Sequence, residues 1–307
     1  MTHAPARPRS GLRIAAAALT ALGLSLTAAC SGASSEDSSV PTASLAPVSA
    51  DAQLAAQVPQ KFKDKGSLTV GTDASYAPNE FVAEDGVTIV GLNIDIMNAV
   101  AAKLGLETEL VNSEFGTIVL GVTSGKFDAG ISSFTINQAR VQQVDMVQYM
   151  MAGTAWAVRK GNPDGVDLNN LCGRTVAVQK GTKQADDLAT RSTACTDAGQ
   201  QAITQVVEVL QSRATTDLVT GKAEAMVSDS PVIDYAIGQQ SDQLERLGDT
   251  TDAAPYGILL SKGDPEMGPL VSRALVALQA DGSYQAILDK WSNAPGAVTE
   301  FPVNPQV

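Results

Sequence analysis

Residues 128–140 read DAGISSFTINQAR. Ala129–Ser132 is a short strand-like run. Small hydroxyls follow at Ser132, Ser133 and Thr135, then Asn137, which can cap a helix, and Arg140 in that helix's first turn. A strand end, free hydroxyls, a helix start and one guanidinium suit a carboxylate. The hydroxyls and unpaired backbone N–H groups donate, and the guanidinium grips both oxygens.

Working outward, the flanking pattern is α/β. Residues 68–72 form a strand ending at Asp73, and residues 92–104 carry apolar residues at helical spacing up to Gly105. Leu110–Val111 is a strand, and Thr117–Ser124 a short helix stopped by Gly125. The second half repeats the plan. Residues 175–178 form a strand, a helix starts at Lys183, and residues 206–209 form a strand. Ser212 can cap a helix that stops at Gly221, and residues 225–228 form a strand ending at Asp229. GKFDAGISS at 125–133 aligns with GKAEAMVSD at 221–229. Strands alternating with helices predict two similar lobes, each a mainly parallel sheet flanked by helices. Ligands in such sheets bind beyond the carboxyl ends of the strands, where Asp73, Ser133, Thr182 and Asp229 fall. The chain crosses between lobes near Met151–Thr154 and returns near Thr251–Ala254. Leu270–Trp291 is helical and packs back on the first lobe.

Composition excludes several functions. The net charge is −12, and residues 1–29 hold three Arg and no acid, so the remainder is more acidic still. Such a surface does not bind nucleic acid. The single His is His3, which rules out His-based triads and His–zinc sites in a chain lacking the leader. No metal and no cofactor are expected.

The leader is residues 1–29: three Arg, an apolar run at 14–26 too short to span a membrane, and small residues before Cys30. This resembles a bacterial lipoprotein signal, with Thr27 where Leu is usual, and implies lipidation of Cys30 and attachment to the outer face of the cell membrane. Residues 30–66 are expected to be a flexible tether. With Cys30 modified, Cys172 and Cys195 form an even pair in an oxidising compartment, and a disulfide between them is expected.

Seven motifs then occur in order: GTDASYAPNEF (71–81), GLNIDIMNAVAAKLG (91–105), LGVTSGKFDAGISSFTINQAR (120–140), LCGRTVAVQKGT (171–182), GKAEAMVSDSP (221–231), PYGILLSKGDPE (255–266) and ADGSYQAILDKW (280–291). Together they resemble the amino-acid-binding family (family 3) of bacterial extracellular solute-binding proteins of ABC importers, over about residues 67–292. The resemblance implies a type II periplasmic-binding fold with a two-strand hinge. Residues 67–153 plus 252–307 make lobe 1, and residues 154–251 make lobe 2. It implies a monomer that is not an enzyme, with an amino acid and an importer permease as partners.

Carried over by position, Ser133, Thr135 and Arg140 hold the ligand's α-carboxylate. Thr182 and Lys183 add donors, and Asp229 takes the α-ammonium. Tyr76 and Phe115 form aromatic walls, and Asp73 faces the side chain. Ser132, Gln179 and Tyr256 are secondary candidates. The family commonly has an aromatic residue at 79. Here Asn79-Glu80 is expected to set an amide and a carboxylate near the cleft mouth. The carboxylates Asp73, Glu80 and Asp229 outnumber the one ammonium, so a polar or basic amino acid is favoured. Two other readings use the same site: a sensor for a membrane signalling partner, and a dehydratase or lyase with Glu80 or Asp73 as general acid.

Overall fold

The computed structural model describes residues 41 and 43–306. The expected signal peptide and the lipidation site Cys30 lie outside the described residues.

Two short helices open the described residues, α1 (Ala52–Gln57) and α2 (Gln60–Lys65). Asp51 caps the first by accepting the N–H groups of Gln53 and Leu54, and Gly66 ends the second in the left-handed conformation. Leu54, Val58 and Phe62 are buried in the first lobe's core, with Leu45 and Val48 packed against it. The expectation of a flexible tether over 30–66 is therefore corrected. Its second half is a strap, held because those apolar side chains leave water on docking.

Next come β1 (Ser67–Thr72), a small antiparallel sheet β2 (Ser75–Tyr76), β3 (Glu80–Val82) and β4 (Ile89–Val90), then α3 (Leu92–Lys103) and β5 (Glu107–Asn112). α4 (Phe115–Thr123), β6 (Ala129–Gly130) and α5 (Gln138–Val141) lead into the long β7 (Asp145–Arg159). The second lobe runs β8 (Thr175–Gln179), α6 (Lys183–Asp197), β9 (Thr204–Glu208), α7 (Gln211–Val219), β10 (Ala225–Asp229), α8 (Ser230–Gln239) and β11 (Leu244–Arg246). β12 (Thr251–Leu260) returns, and α9 (Met267–Ala280) and α10 (Ser283–Lys290) close the chain on α3. α7 is not capped by Ser212, which lies inside its first turn; the capping position is Leu210.

The other nine strands form one sheet in the order β5-β1-β6-β12-β7-β10-β8-β9, with β11 beside β7. β5, β1 and β6 are parallel, as are β10, β8 and β9. β7 and β12 run antiparallel to each other and belong to both lobes. β7 pairs with β12 over Asp145–Thr154 and with β10 over Thr154–Val158. They are the two strands of the hinge, and separate cores lie on either side of them.

The internal match is structural. Gly125 and Gly221 both adopt left-handed φ, +75° and +77°. Phe127 N–H donates to Gly121 C=O, as Ala223 N–H does to Asp217 C=O. The Asp128 carboxylate accepts Thr69 N–H at 2.8 Å, and the Glu224 carboxylate accepts Thr175 N–H at 2.7 Å. Each acid also meets a cation, Lys65 in one lobe and Arg174 in the other. Equivalent turns thus feed β6 and β10 and deliver Ser133 and Asp229 to facing ends of the cleft.

Cys172 and Cys195 form a disulfide that joins the start of the second lobe to α6. Among the described residues no helix is long and apolar enough to cross a membrane.

Candidate functional site

The first jaw is built by β1, β6 and the loop into α5. Asn137 caps α5 by accepting Arg140 N–H at 2.9 Å. That cap turns Arg140 back over the loop, where its guanidinium lies over the rings of Phe115 and Phe134, 5.4 and 5.3 Å from their centres. The two rings are stacked, 4.5 Å apart. Arg140 donates to Thr135 C=O at 2.7 Å and, across the cleft, to Gly181 C=O at 3.2 Å. Ser133 is buried, holds φ +56°, and lines the cleft beside Thr135.

The second jaw is built by β8, α6 and β10. Thr182 caps α6 with its hydroxyl, which accepts Ala185 N–H and donates to Gln179 C=O. The Lys183 ammonium pairs with Asp187, and Lys183 lines the cleft at the start of α6. Asp229 occupies the capping position of α8 but makes no capping bond. Its carboxylate instead accepts from Gln184 at 2.7 Å and from the Tyr76 hydroxyl at 2.8 Å. Gln184 also donates to Thr154 on the hinge.

Cross-lobe bonds close the two jaws. Tyr76 reaches Ser228 and Asp229, Gln179 donates to Asp73 at 2.9 Å, and Gln211 N–H donates to Ser75 at 3.1 Å. Tyr76, Phe115, Ser133, Thr135, Arg140, Thr182, Lys183, Gln184 and Asp229 together enclose about 10 Å³, room for about one water. The lobes are closed on each other.

Asp73 accepts from Ser75, Phe115 N–H and Gln179. Tyr256 lies beneath Thr135, bridged to it through the backbone, with its ring on Tyr149. Its buried hydroxyl has no hydrogen-bond partner of ordinary geometry, yet it is near enough to Asp229 to lower that acid's pKa. Gln179 Oε1 and Gln211 Oε1 are also buried without partners.

Glu80 is corrected. It and Asn79 are fully buried rather than near a mouth, because β2–β3 folds under α3. Glu80 accepts from Asn93 and Ser132 and is absent from the lining of the cleft.

Among the described residues, Arg140, Asp73, Glu80 and Asp229 form no ion pair. Burial raises the pKa of Asp73, raises that of Glu80 well above the carboxylate range, and raises that of Asp229 against the hydrogen bonds that favour its ionised form. Burial lowers the pKa of Arg140, with Asp229 acting in the opposite sense. The cleft lining therefore holds one unpaired cation, Arg140, and one unpaired acid, Asp229, from opposite lobes, while Asp73 and Glu80 lie outside that lining. Each of these charges needs a counter-charge.

Sequence reasoning missed Gln184, Phe134 and Asn93. Gln184 follows Thr182 on the first turn of α6 and could have been found there. The other two are buried, and their roles depend on tertiary contacts. Among the described residues, no cluster of His, Cys, Asp or Glu could hold a metal ion.

The model of the family described as bacterial extracellular solute-binding proteins, family 3, matches residues 68–294. The arginine-binding protein ArgT of Corynebacterium glutamicum is 33% identical over 255 residues, 83% of each chain. The L-cystine-binding protein TcyJ of Escherichia coli K12 is 26% identical over 236 residues, 76% of this chain and 85% of that one. An ancestral arginine-binding protein, solved with arginine bound, superposes with a TM-score of 0.68 at 34% identity, covering 74% of this chain and 98% of that one.

Proposed function

The chain belongs to the bacterial extracellular solute-binding proteins of family 3, and from that membership we propose that it captures a cationic amino acid, L-arginine first, by hinge closure. The observation that carries this reading is the arrangement of unpaired charges: Arg140 from one jaw, Asp229 from the other, and Asp73 beyond them. An α-amino acid supplies the carboxylate that Arg140, Ser133 and Thr135 lack and the ammonium that Asp229 lacks. Tyr76 and Phe115 flank the ligand, while Thr182 and the main chain at Lys183 add donors. A third cation, on the ligand's side chain, answers Asp73. The partnerless acceptor of Gln179 stands close by, its amide nitrogen bonded to Asp73. A guanidinium offers five donors to that acceptor-rich end. The name of the Corynebacterium relative and the ligand of the ancestral structure agree with this choice.

The closed receptor delivers its cargo to an ABC import permease, held at the outer membrane face by a lipid on Cys30. Capture is a shift of the hinge equilibrium by a ligand that bridges both lobes. The test is calorimetry against L-arginine, L-lysine, L-ornithine, L-glutamine, L-cystine and L-glutamate. Arginine should bind most tightly. Binding of glutamate alone overturns the cationic reading, and binding of none overturns the receptor reading.

A further inference from the structure

Beneath the cleft lies a set of buried polar side chains that do not line it themselves. Asn79 Nδ2 donates to Ser133 Oγ at 2.8 Å, and Asn93 Nδ2 donates to the same oxygen at 3.0 Å. A serine hydroxyl has two acceptor positions and one proton. Both acceptor positions of Ser133 are thus taken from below. Asn93 is held in turn: its Oδ1 accepts the Tyr149 hydroxyl at 2.7 Å, and its amide donates to Glu80 Oε2 at 2.5 Å. The other Glu80 oxygen accepts Ser132 Oγ at 3.0 Å, and Ser132 Oγ accepts Asp73 N–H at 3.0 Å. Asn79, Glu80 and Asn93 are each fully buried.

We propose that Glu80, Asn93 and Asn79 are positioning residues that make Ser133 a donor-only group, so that the site selects an ionised α-carboxylate over a neutral carboxamide. Ser133 then accepts nothing from a ligand; it can only give its proton, for which the neighbouring Tyr149 oxygen competes. A carboxylate oxygen accepts that proton while Arg140 grips its partner. A carboxamide presents an N–H₂ to one of these two donors and meets it proton to proton. The orientation of Asn93 is shared out among its neighbours: its carbonyl accepts the Tyr149 hydroxyl while its amide turns to Glu80 and Ser133. Glu80, which looked from the sequence like a ligand contact, fixes Ser133 through Asn93 and the Asp73 main chain through Ser132. The inference rests on the receptor reading above.

The experiment compares the Kd of L-arginine with that of its α-carboxamide for the full protein and for Glu80→Leu, Asn93→Leu and Glu80→Gln. The unaltered protein should prefer arginine strongly. One hydrogen bond to a charged group is worth about tenfold or more, so the two Leu variants should lower the preference about tenfold. Glu80→Gln, which keeps one acceptor for Asn93, should retain most of it. A purely structural role would weaken both ligands alike and leave their ratio unchanged, and that result overturns the inference. If the Leu variants do not fold, Asn79→Ala, which frees one acceptor position of Ser133, must lower the ratio or the inference fails. Absence of arginine binding by the unaltered protein overturns the receptor reading and this inference with it.

Discussion

Tyr76 and Asp229 meet across the cleft, hydroxyl to carboxylate at 2.8 Å, one from each lobe. The same hydroxyl lies 2.9 Å from Ser228 Oγ. Lobe closure therefore joins an acid to a phenol at the point where the receptor reading sets an ammonium. Asp229 is stabilised by neutral donors, and burial still raises its pKa.

Tyr76→Phe should favour the open form of the ligand-free protein. It removes a buried bond to an ionisable group, worth roughly 1.5–3 kcal/mol, from the bonds that hold the jaws. Small-angle scattering should give a larger radius of gyration than for the unaltered protein. An unchanged radius would show that this bond does not hold the closed form.

Arg140→Ala should abolish detectable amino-acid binding, at a cost of roughly 3–5 kcal/mol for stranding a buried charge. Stability should change little. Arg140 ends on the carbonyls of Thr135 and Gly181 and lies in a four-residue helix that buries nothing. Calorimetry and thermal melts separate the two effects, and normal binding would refute the clamp.

Asp73, Glu80 and Asp229 are all raised by burial. A raised acid contributes stability below its unfolded value and loses it as pH rises through its folded value. The ligand-free protein should therefore melt higher as pH falls from neutrality toward the ordinary range, 3.8 for Asp and 4.5 for Glu. Affinity for arginine should move the other way, because protonated Asp229 and Asp73 cannot pair with cations. Melts and calorimetry across that range check both signs, and affinity that rises in acid would contradict the assignment.

Much of this site was legible because strand ends and glycine stops are local signals. Asp73 and Ser133 follow strands and Asp229 ends one, and Gly125 and Gly221 mark the turns that feed two of them. β7 was less legible: both its faces are covered, so its 15 residues show no alternation between apolar and polar. The Glu80–Asn93–Ser133 set was illegible because its partners are 13 and 40 residues apart and meet only through packing. A buried acid looks in sequence like an exposed one.

Replacing Cys172 and Cys195 together by Ser should lower stability by about 3 kcal/mol, from the entropy of the short loop the bridge closes. The bridge belongs to the outer core of the second lobe, with Cys195 packed beside Leu188 and Ile203, so arginine affinity should not change. Denaturant melts and calorimetry test this, and a large loss of affinity would show that the bridge acts on the cleft.

A chain beginning at Ser67, where lobe 1 was expected to start, should be unstable. It lacks Leu54, Val58 and Phe62, which are 7%, 3% and 2% exposed in the first lobe's core. At roughly 1.5–3 kcal/mol for each buried side chain, their loss approaches the whole stability of a typical domain, roughly 5–15 kcal/mol. A chain beginning at residue 43 keeps the strap and should unfold at the same denaturant concentration as one beginning at residue 31. Equal midpoints for the chains beginning at 43 and at 67 would show the strap to be dispensable. The docked strap also shortens the proposed anchor. Only residues 31–42 separate Cys30 from the strap, a reach of at most about 40 Å when fully extended. If the proposed anchor holds the protein at the membrane, lengthening those residues should weaken uptake through the permease while leaving arginine affinity in solution unchanged.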